Sequence, residues 1–500
     1  MTFIKNIYAW VVIARSNFAS SAGSWLSLAL WGFIFLCFCG GLIRTLVAGR
    51  DLKKTKPLSM PAPDRDESQH AAESLSEAIR INSVTGNKEG IGQMNDFLRT
   101  RYPGVFEHLN LMPSPKGSLL LRWRGPRDGS RLPVMFCGHL DVVPAGEGWQ
   151  ENPFSGRTDA DGYIIGRGAI DCKNVVIGLF EAVDSLIKEG YTPSRDIYLS
   201  FGHDEETGGA EGAAKMAESF ERRGVRFEAI IDEGGYITTD HFGRTGFPAA
   251  LIGLGEKGCS YFKITAEAAA GHSSVPPRHT AVGVLAEAIC RIEAAPPKAR
   301  LLDAIDEHIR LSMPAMRFFQ RFAVSNLPFS EPLMFRIFRN NPSVNALFRT
   351  TLACTQVKGS DTPNVLPGRA ECIVSARILQ GDTPESIKKY IESLTDDLSC
   401  TVESVLEIPA SDIADTKSEA YKTIATVIGD VFPGVACIPG IQPITTDSRH
   451  YGKLCDNIFK FMPFVLSSEL YRGMHGAGER IHKDSLAVGV DLYKRLIKAF

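Results

Sequence analysis

A chain of 500 residues is too long for a single hydrophobic core, so two domains are expected. Its net charge of -2 and pI near 6.6 offer no basic surface of the kind nucleic acids require, which excludes that class of partner.

Nineteen residues from Trp25 to Ile43 carry no charge, enough to cross a bilayer and more than a signal peptide's apolar region, and Lys5 and Arg15 precede them. A single-pass membrane anchor is therefore expected within residues 1–50, with a span at about 25–43. Residues 51–66, rich in Pro, Lys and Asp, read as a linker. Arg44, Arg50, Lys53, Lys54 and Lys56 follow the span, and the positive-inside rule then favours a cytoplasmic catalytic domain. Nine cysteines beyond the span and the lack of a usable Asn-x-Ser/Thr site agree with a reducing or non-glycosylating compartment.

Residues 67–255 hold the first part of a catalytic domain. His139 with Asp141, then Asp171, then Glu205 with Glu206, then Asp232 recur about every thirty residues, most of them directly behind a short apolar run. Successive strand-helix units of an α/β sheet produce this spacing, and such sheets gather their chemistry at the carboxyl ends of the strands. Pro133–Cys137, Asp196–Gly202 and Phe227–Ile231 are strand candidates, and in the first His139 and Asp141 point the same way. Val175, Val176, Leu179, Phe180, Val183, Leu186 and Ile187 form one helical face, which puts Asp171 at a helix start.

From residue 256 to 407 the pattern changes. Tyr261–Ala266 and Glu371–Arg377 read as strands, each followed by a helix, near Val282–Ala294 and Pro384–Leu394. Two such halves fit a small α+β, ferredoxin-like sandwich inserted into the first domain, which resumes at 408–500. Between Arg310 and Thr350 this insert carries seven phenylalanines (Phe318, Phe319, Phe322, Phe329, Phe335, Phe338 and Phe348), six arginines and Glu331 as its one acid. Extra core, a wall for an acyl chain and contact with a membrane surface all fit that composition.

One imidazole among several carboxylates, with no cysteine pair at ligand spacing, suits zinc, and two ions rather than one. With about four donors per ion, a carboxylate must bridge if His139, Asp171, Glu206, Asp232 and one further histidine serve both. Glu205, beside a ligand and not needed as one, is free to act as a base. Singly, an Asp at a helix start reads as an N-cap and a Glu-Glu pair as a solvated turn. Four such coincidences at one spacing do not.

The segments Gly138–Pro144, Gly166–Asn174, His203–Gly209, Asp232–Gly234, Gly271–Ser274 and Thr446–Arg449 together resemble the di-zinc metallopeptidases that include aminoacylase, carboxypeptidase S and carboxypeptidase G. The resemblance runs from about residue 70 to the C-terminus and is nearest the carboxypeptidase S branch, which includes the N-fatty-acyl-amino-acid synthase/hydrolase. It implies that His139, Asp171 and Asp232 hold one zinc and Asp171, Glu206 and His475 the other, Asp171 being the bridge. The residues alone do not choose His475 over His450 or His482. The resemblance further implies that Glu205 is the general base and that Asp141 orients His139 from behind. His272 would reach over from a partner subunit to the oxyanion, making the chain a homodimer, and Arg377 would clamp the substrate's free carboxylate. Asn364 lies in the same inserted layer. Arg449 is a second candidate clamp, with a structural ion pair to Asp447 or another acid as its alternative. Cys172 stands where the family more often has Asp or Gly; it is either a competing thiol ligand or a small buried residue in a tight turn.

The expected function is hydrolysis of N-acyl amino acids with a free carboxylate, or the reverse condensation, with a carboxypeptidase or dipeptidase as the alternative. The Phe-rich insertion favours the first. A catalytically dead binding relative would have lost Glu205 or a ligand, and none is missing. Since carboxypeptidase S relatives face a lumen or the outside, the side of the membrane stays open.

Overall fold

Strand order, more than any single contact, decides where the acidic motifs meet. The computed structural model describes residues 22–51, 58–62, 65–126, 131–243, 246–327 and 330–500. Lys5, Arg15, Phe329, the basic residues Lys53, Lys54 and Lys56, and most of the linker lie outside the described residues. The chain divides into two compact units, residues 1–54 with 313–337, and residues 55–312 with 338–500.

The second unit contains a ten-stranded mixed sheet. Near its centre Val134–His139 runs parallel to Ile197–Gly202 on one side and Ala229–Asp232 on the other, with His139 level with Gly202 and Phe136 level with Ile231. Three carboxyl ends therefore lie side by side. Val134–His139 is buried along its whole length because helices cover both faces of the sheet. Met135 and Cys137 pack into a cluster with Met216, Phe220, Phe227 and Tyr451, whereas Phe136 meets Tyr493 of Lys483–Ala499 edge to face. Period-two alternation thus fixes the side on which the last residues of the strand emerge. The mixed α/β sheet expected from the motif spacing is present.

A separate four-stranded antiparallel sheet is built from Gly258–Glu267, Thr351–Lys358, Arg369–Ile378 and Cys400–Ile408. Gly258–Glu267 and Arg369–Ile378 are the central pair, and Ala281–Ala294 and Pro384–Thr395 cover one face. Along Arg369–Ile378, Ala370, Cys372, Val374, Ala376 and Ile378 point into that helical core. The opposite parity carries Arg377 to the other face. The chain order strand, helix, strand, strand, helix, strand is the ferredoxin-like arrangement read from the sequence.

The first unit corrects one expectation. Among the described residues no helix is long and apolar enough to cross a membrane, so the single-pass anchor read at 25–43 is not supported. Counting uncharged residues could not show what the helix Ala22–Asp51 does with its surface. Phe38 packs on Phe322 with ring centroids 5.2 Å apart, Arg44 donates to the carbonyl of Ser325 at 3.4 Å, and Gly41 leaves room for Asn326. Trp31, Phe33 and Leu36 of the same helix are exposed. The Phe-rich stretch divides accordingly. Phe322 belongs with this helix, Phe319 is exposed, and Phe338 and Phe348 are buried against each other in the second unit, with centroids 6.2 Å apart.

Candidate metal centre

The carboxyl end of Val134–His139 delivers a fully buried imidazole. His139 Nδ1 lies 2.9 Å from the carbonyl oxygen of Asp141 and 3.4 Å from its carboxylate, so Nε2 is the nitrogen turned into the site. Nε2 is 2.9 Å from Asp171 Oδ1, 3.2 Å from Glu233 Oε1 and 4.0 Å from Glu205 Oε2. Asp171 arrives in the turn ahead of the helix Lys173–Lys188 and uses both of its oxygens. Its Oδ2 lies 2.8 Å from Nε2 of His475, which is also 3.5 Å from Glu206 Oε2. One carboxylate therefore joins two imidazoles that are 336 positions apart in the chain.

Asp141 acts behind this layer. Its carboxylate accepts the backbone N–H groups of Glu205 at 3.2 Å and Glu206 at 3.3 Å and the hydroxyl of Thr85 at 2.7 Å. The residue that orients His139 thus also holds the loop carrying Glu205 and Glu206. Cys172 packs beneath His139, whose backbone N–H donates to its sulfur at 3.1 Å, and burial pushes the thiol pKa up.

Asp232 is not where the sequence placed it. Its two oxygens accept the backbone N–H groups of Glu233 and Ser448, both at 2.9 Å, and the carboxylate that faces His139 is Glu233. Ala229–Asp232 ends at Asp232, and Glu233 lies one residue beyond it, where the chain leaves the strand. The motif Asp232-Glu-Gly offers two adjacent acids, and Glu233, one residue past the strand, is outside the reach of strand alternation.

Three expected substrate residues lie apart from this cluster. His272 is exposed in the two-stranded ribbon Gly271–His272 with Val365–Leu366, its Nδ1 2.7 Å from the hydroxyl of Ser274. Asn364 sits beside it, its carbonyl accepting the N–H of Ser273 at 3.1 Å, so these two residues do share a place. Arg377 is half-buried, and its guanidinium has no carboxylate or hydrogen-bond partner among the described residues. Arg449 donates to the carbonyl of Gly208 at 3.2 Å, just behind Glu205 and Glu206. It forms no ion pair with Asp447, whose two oxygens are buried without a hydrogen bond.

The electrostatics of the cluster call for cations. Burial drives the carboxyl pKa of Glu205 well up, and burial pushes Glu233 up to about 8. Hydrogen bonds to Asp171 and Glu206 push His475 up to about 10, so the imidazole takes a proton to offset the surrounding carboxylates. Glu206 Oε1 is buried with no partner. Asp171, Glu206 and His475 form one group of donor atoms all within 4.8 Å of one another, and His139, Asp171, Cys172 and Glu233 form another. Excess negative charge, an orphaned carboxylate oxygen and clustered nitrogen and oxygen donors fit divalent metal ions. Two elements of the site were missed from sequence. Glu233 is one, and the buried Glu479–Arg167 pair beneath Asp171 is the other; neither has a motif spacing of its own.

Residues 135–499 match the model of peptidase family M20/M25/M40. The chain is 34% identical over 418 residues to probable carboxypeptidase S-like 2 of Dictyostelium discoideum, covering 81% of this chain and 79% of that protein. It is 33% identical over 480 residues to the N-fatty-acyl-amino acid synthase/hydrolase PM20D1 of Xenopus tropicalis, covering 91% of each. Among solved structures, the M20 family metallo-carboxypeptidase Sso-CP2 from Sulfolobus solfataricus shares the fold at a TM-score of 0.64 and 17% identity, over 86% of this chain and 98% of that one. The chain belongs to peptidase family M20/M25/M40 and is a metallohydrolase acting on amide or peptide bonds.

Proposed function

We propose that this protein releases a free amino acid from N-acyl amino acids at a centre of two zinc ions that share Asp171. The observation that carries the reading is the pair of contacts at Asp171, 2.9 Å to His139 from one oxygen and 2.8 Å to His475 from the other. His139, Asp171 and Glu233 make one donor set, and Asp171, Glu206 and His475 make the second. Bound there, zinc supplies Lewis acidity toward a carbonyl and acidifies water to a pKa near ~7.

The residues of the chain do the rest. Glu205, set 4.0 Å from His139 Nε2 and outside both donor sets, takes the proton of the attacking water on its carboxylate and passes it to the leaving amine nitrogen. Burial, which raises its pKa, helps it hold that proton between the two steps. Arg377, with no acid of its own, is suited to a bidentate grip on the substrate's carboxylate. His272 is exposed on the inserted layer, and a second copy of the chain brings it to the site to stabilise the oxyanion. The substrate class is supported by the relative named for N-fatty-acyl amino acids, which matches over 91% of both chains. The carboxypeptidase S-like relative supports a second reading, cleavage of short peptides with a free carboxyl end. A screen of fatty-acyl amino acids against dipeptides separates the two. Faster turnover of the fatty-acyl series is expected, and activity confined to dipeptides contradicts the first reading.

Glu205→Gln should keep the metal and lose about 10²- to 10⁴-fold in turnover, because an amide has the shape of the base and cannot accept the proton. Near-normal turnover of the purified variant would remove Glu205 from that role. Arg377→Ala should slow free-acid substrates far more than their carboxamides, by roughly 1.5–3 kcal/mol of lost charge-assisted bonding. Equal losses on both would make Arg377 structural and leave Arg449 as the clamp. Glu205→Gln and His272→Ala chains, each inactive alone, should regain about a quarter of wild-type activity when mixed and reassociated. Random pairing makes half the dimers mixed, and each mixed dimer has one complete site. No recovery despite demonstrated subunit exchange would confine His272 to its own chain or to a structural role.

A further inference from the structure

Beneath the bridging aspartate lies an ion pair that the reaction does not use. Glu479 and Arg167 are both fully buried, and Arg167 Nη1 donates to Glu479 Oε2 at 2.6 Å. Glu479 Oε2 also accepts the N–H of Gly168 at 3.2 Å, and its Oε1 accepts the N–H groups of Ile170 at 2.7 Å and Asp171 at 3.1 Å. Its carbonyl accepts from the N–H of Gly166 at 2.9 Å. One side chain thus holds the turn that presents Asp171.

The arginine reaches the opposite way. Its Nη2 donates to the carbonyl of His475 at 2.9 Å and to that of Ala145 at 3.2 Å. Its guanidinium lies over the Trp149 ring, 5.5 Å from the centroid, and Trp149 Nε1 donates to the same Ala145 carbonyl at 2.8 Å. His475 has a φ of 63°, a left-handed backbone that a residue other than glycine seldom adopts, and the bond from Arg167 falls on its own carbonyl. The pair therefore couples the backbone of Asp171 to that of His475, residues 304 apart in sequence whose side chains meet at 2.8 Å. A buried ion pair is weak support for stability, since apolar replacements of the same volume often serve as well. Its planar fork and its fixed distances are what an apolar pair cannot supply.

We propose that Glu479 and Arg167 are positioning residues that set the distance and angle between the Asp171 carboxylate and the His475 imidazole, and thereby the zinc affinity of the site. The proposal rests on the two-zinc reading above. Zinc dissociation constants of the full-length chain, measured by competition with a chromophoric chelator, test it, with the circular dichroism and melting temperature of the zinc-free protein read on the same samples. Glu479→Gln should bind zinc about 10- to 100-fold more weakly while the zinc-free protein remains folded. Arg167→Lys keeps the cation but cannot span Glu479, His475 and Ala145 together, and should show a loss of the same sign. Wild-type affinity in folded Glu479→Gln would overturn the proposal. If that variant does not fold, Arg167→Lys decides by the same measurement, and failure of both to fold assigns the pair to stability and equally overturns it. A wild-type chain that holds fewer than two zinc ions removes the two-zinc reading itself, and this proposal with it.

Discussion

Everything at this site depends on one carboxylate serving two imidazoles. Asp171 lies in a turn between two parallel strands, His139 ends the first of those strands, and His475 comes from a loop close to the C-terminus. Such a carboxylate cannot be placed by local sequence preference. It needs a sheet that sets His139 beside the crossover, a C-terminal segment that returns over it, and a buried scaffold that fixes the backbone of both. The pKa pattern is the electrostatic trace of the same arrangement. Acids crowded out of water draw protons onto themselves and onto the neighbouring imidazole unless cations take their place.

Much of this was legible in the chain. The thirty-residue spacing of the acidic motifs reports parallel strand-helix units, and that regularity is enough to predict one shared site and a mixed sheet. The ferredoxin-like insert was legible for a similar reason: two strand-helix halves of matched length have few ways to form a sheet. His139, Asp171, Glu206 and His475 come together in the structure as the family motifs implied, and Asp141 stands behind them.

The misreadings have physical causes. Asp232 closes its strand and Glu233 lies one residue past it, where the two-residue alternation of a strand no longer sets the side-chain direction. A motif with two adjacent acids is silent on that point, and strand parity does not reach a residue that lies past the strand end. The membrane anchor was inferred from a run without charges, and such a run does not report packing. Phe38, Gly41 and Arg44 of that helix instead meet residues of the Phe-rich insertion, nearly three hundred positions away. Glu479 and Arg167 escaped notice because buried ion pairs between distant segments have no periodicity at all.

The claim on which the rest stands is that two metal ions share Asp171. Diffraction from crystals of the zinc-loaded protein, recorded at the zinc absorption edge, tests it directly. Two anomalous peaks roughly 3.5–4 Å apart, with one oxygen of Asp171 on each, are expected, with Glu233 rather than Asp232 completing the set around His139. A single peak, or two peaks that Asp171 does not join, would contradict the account.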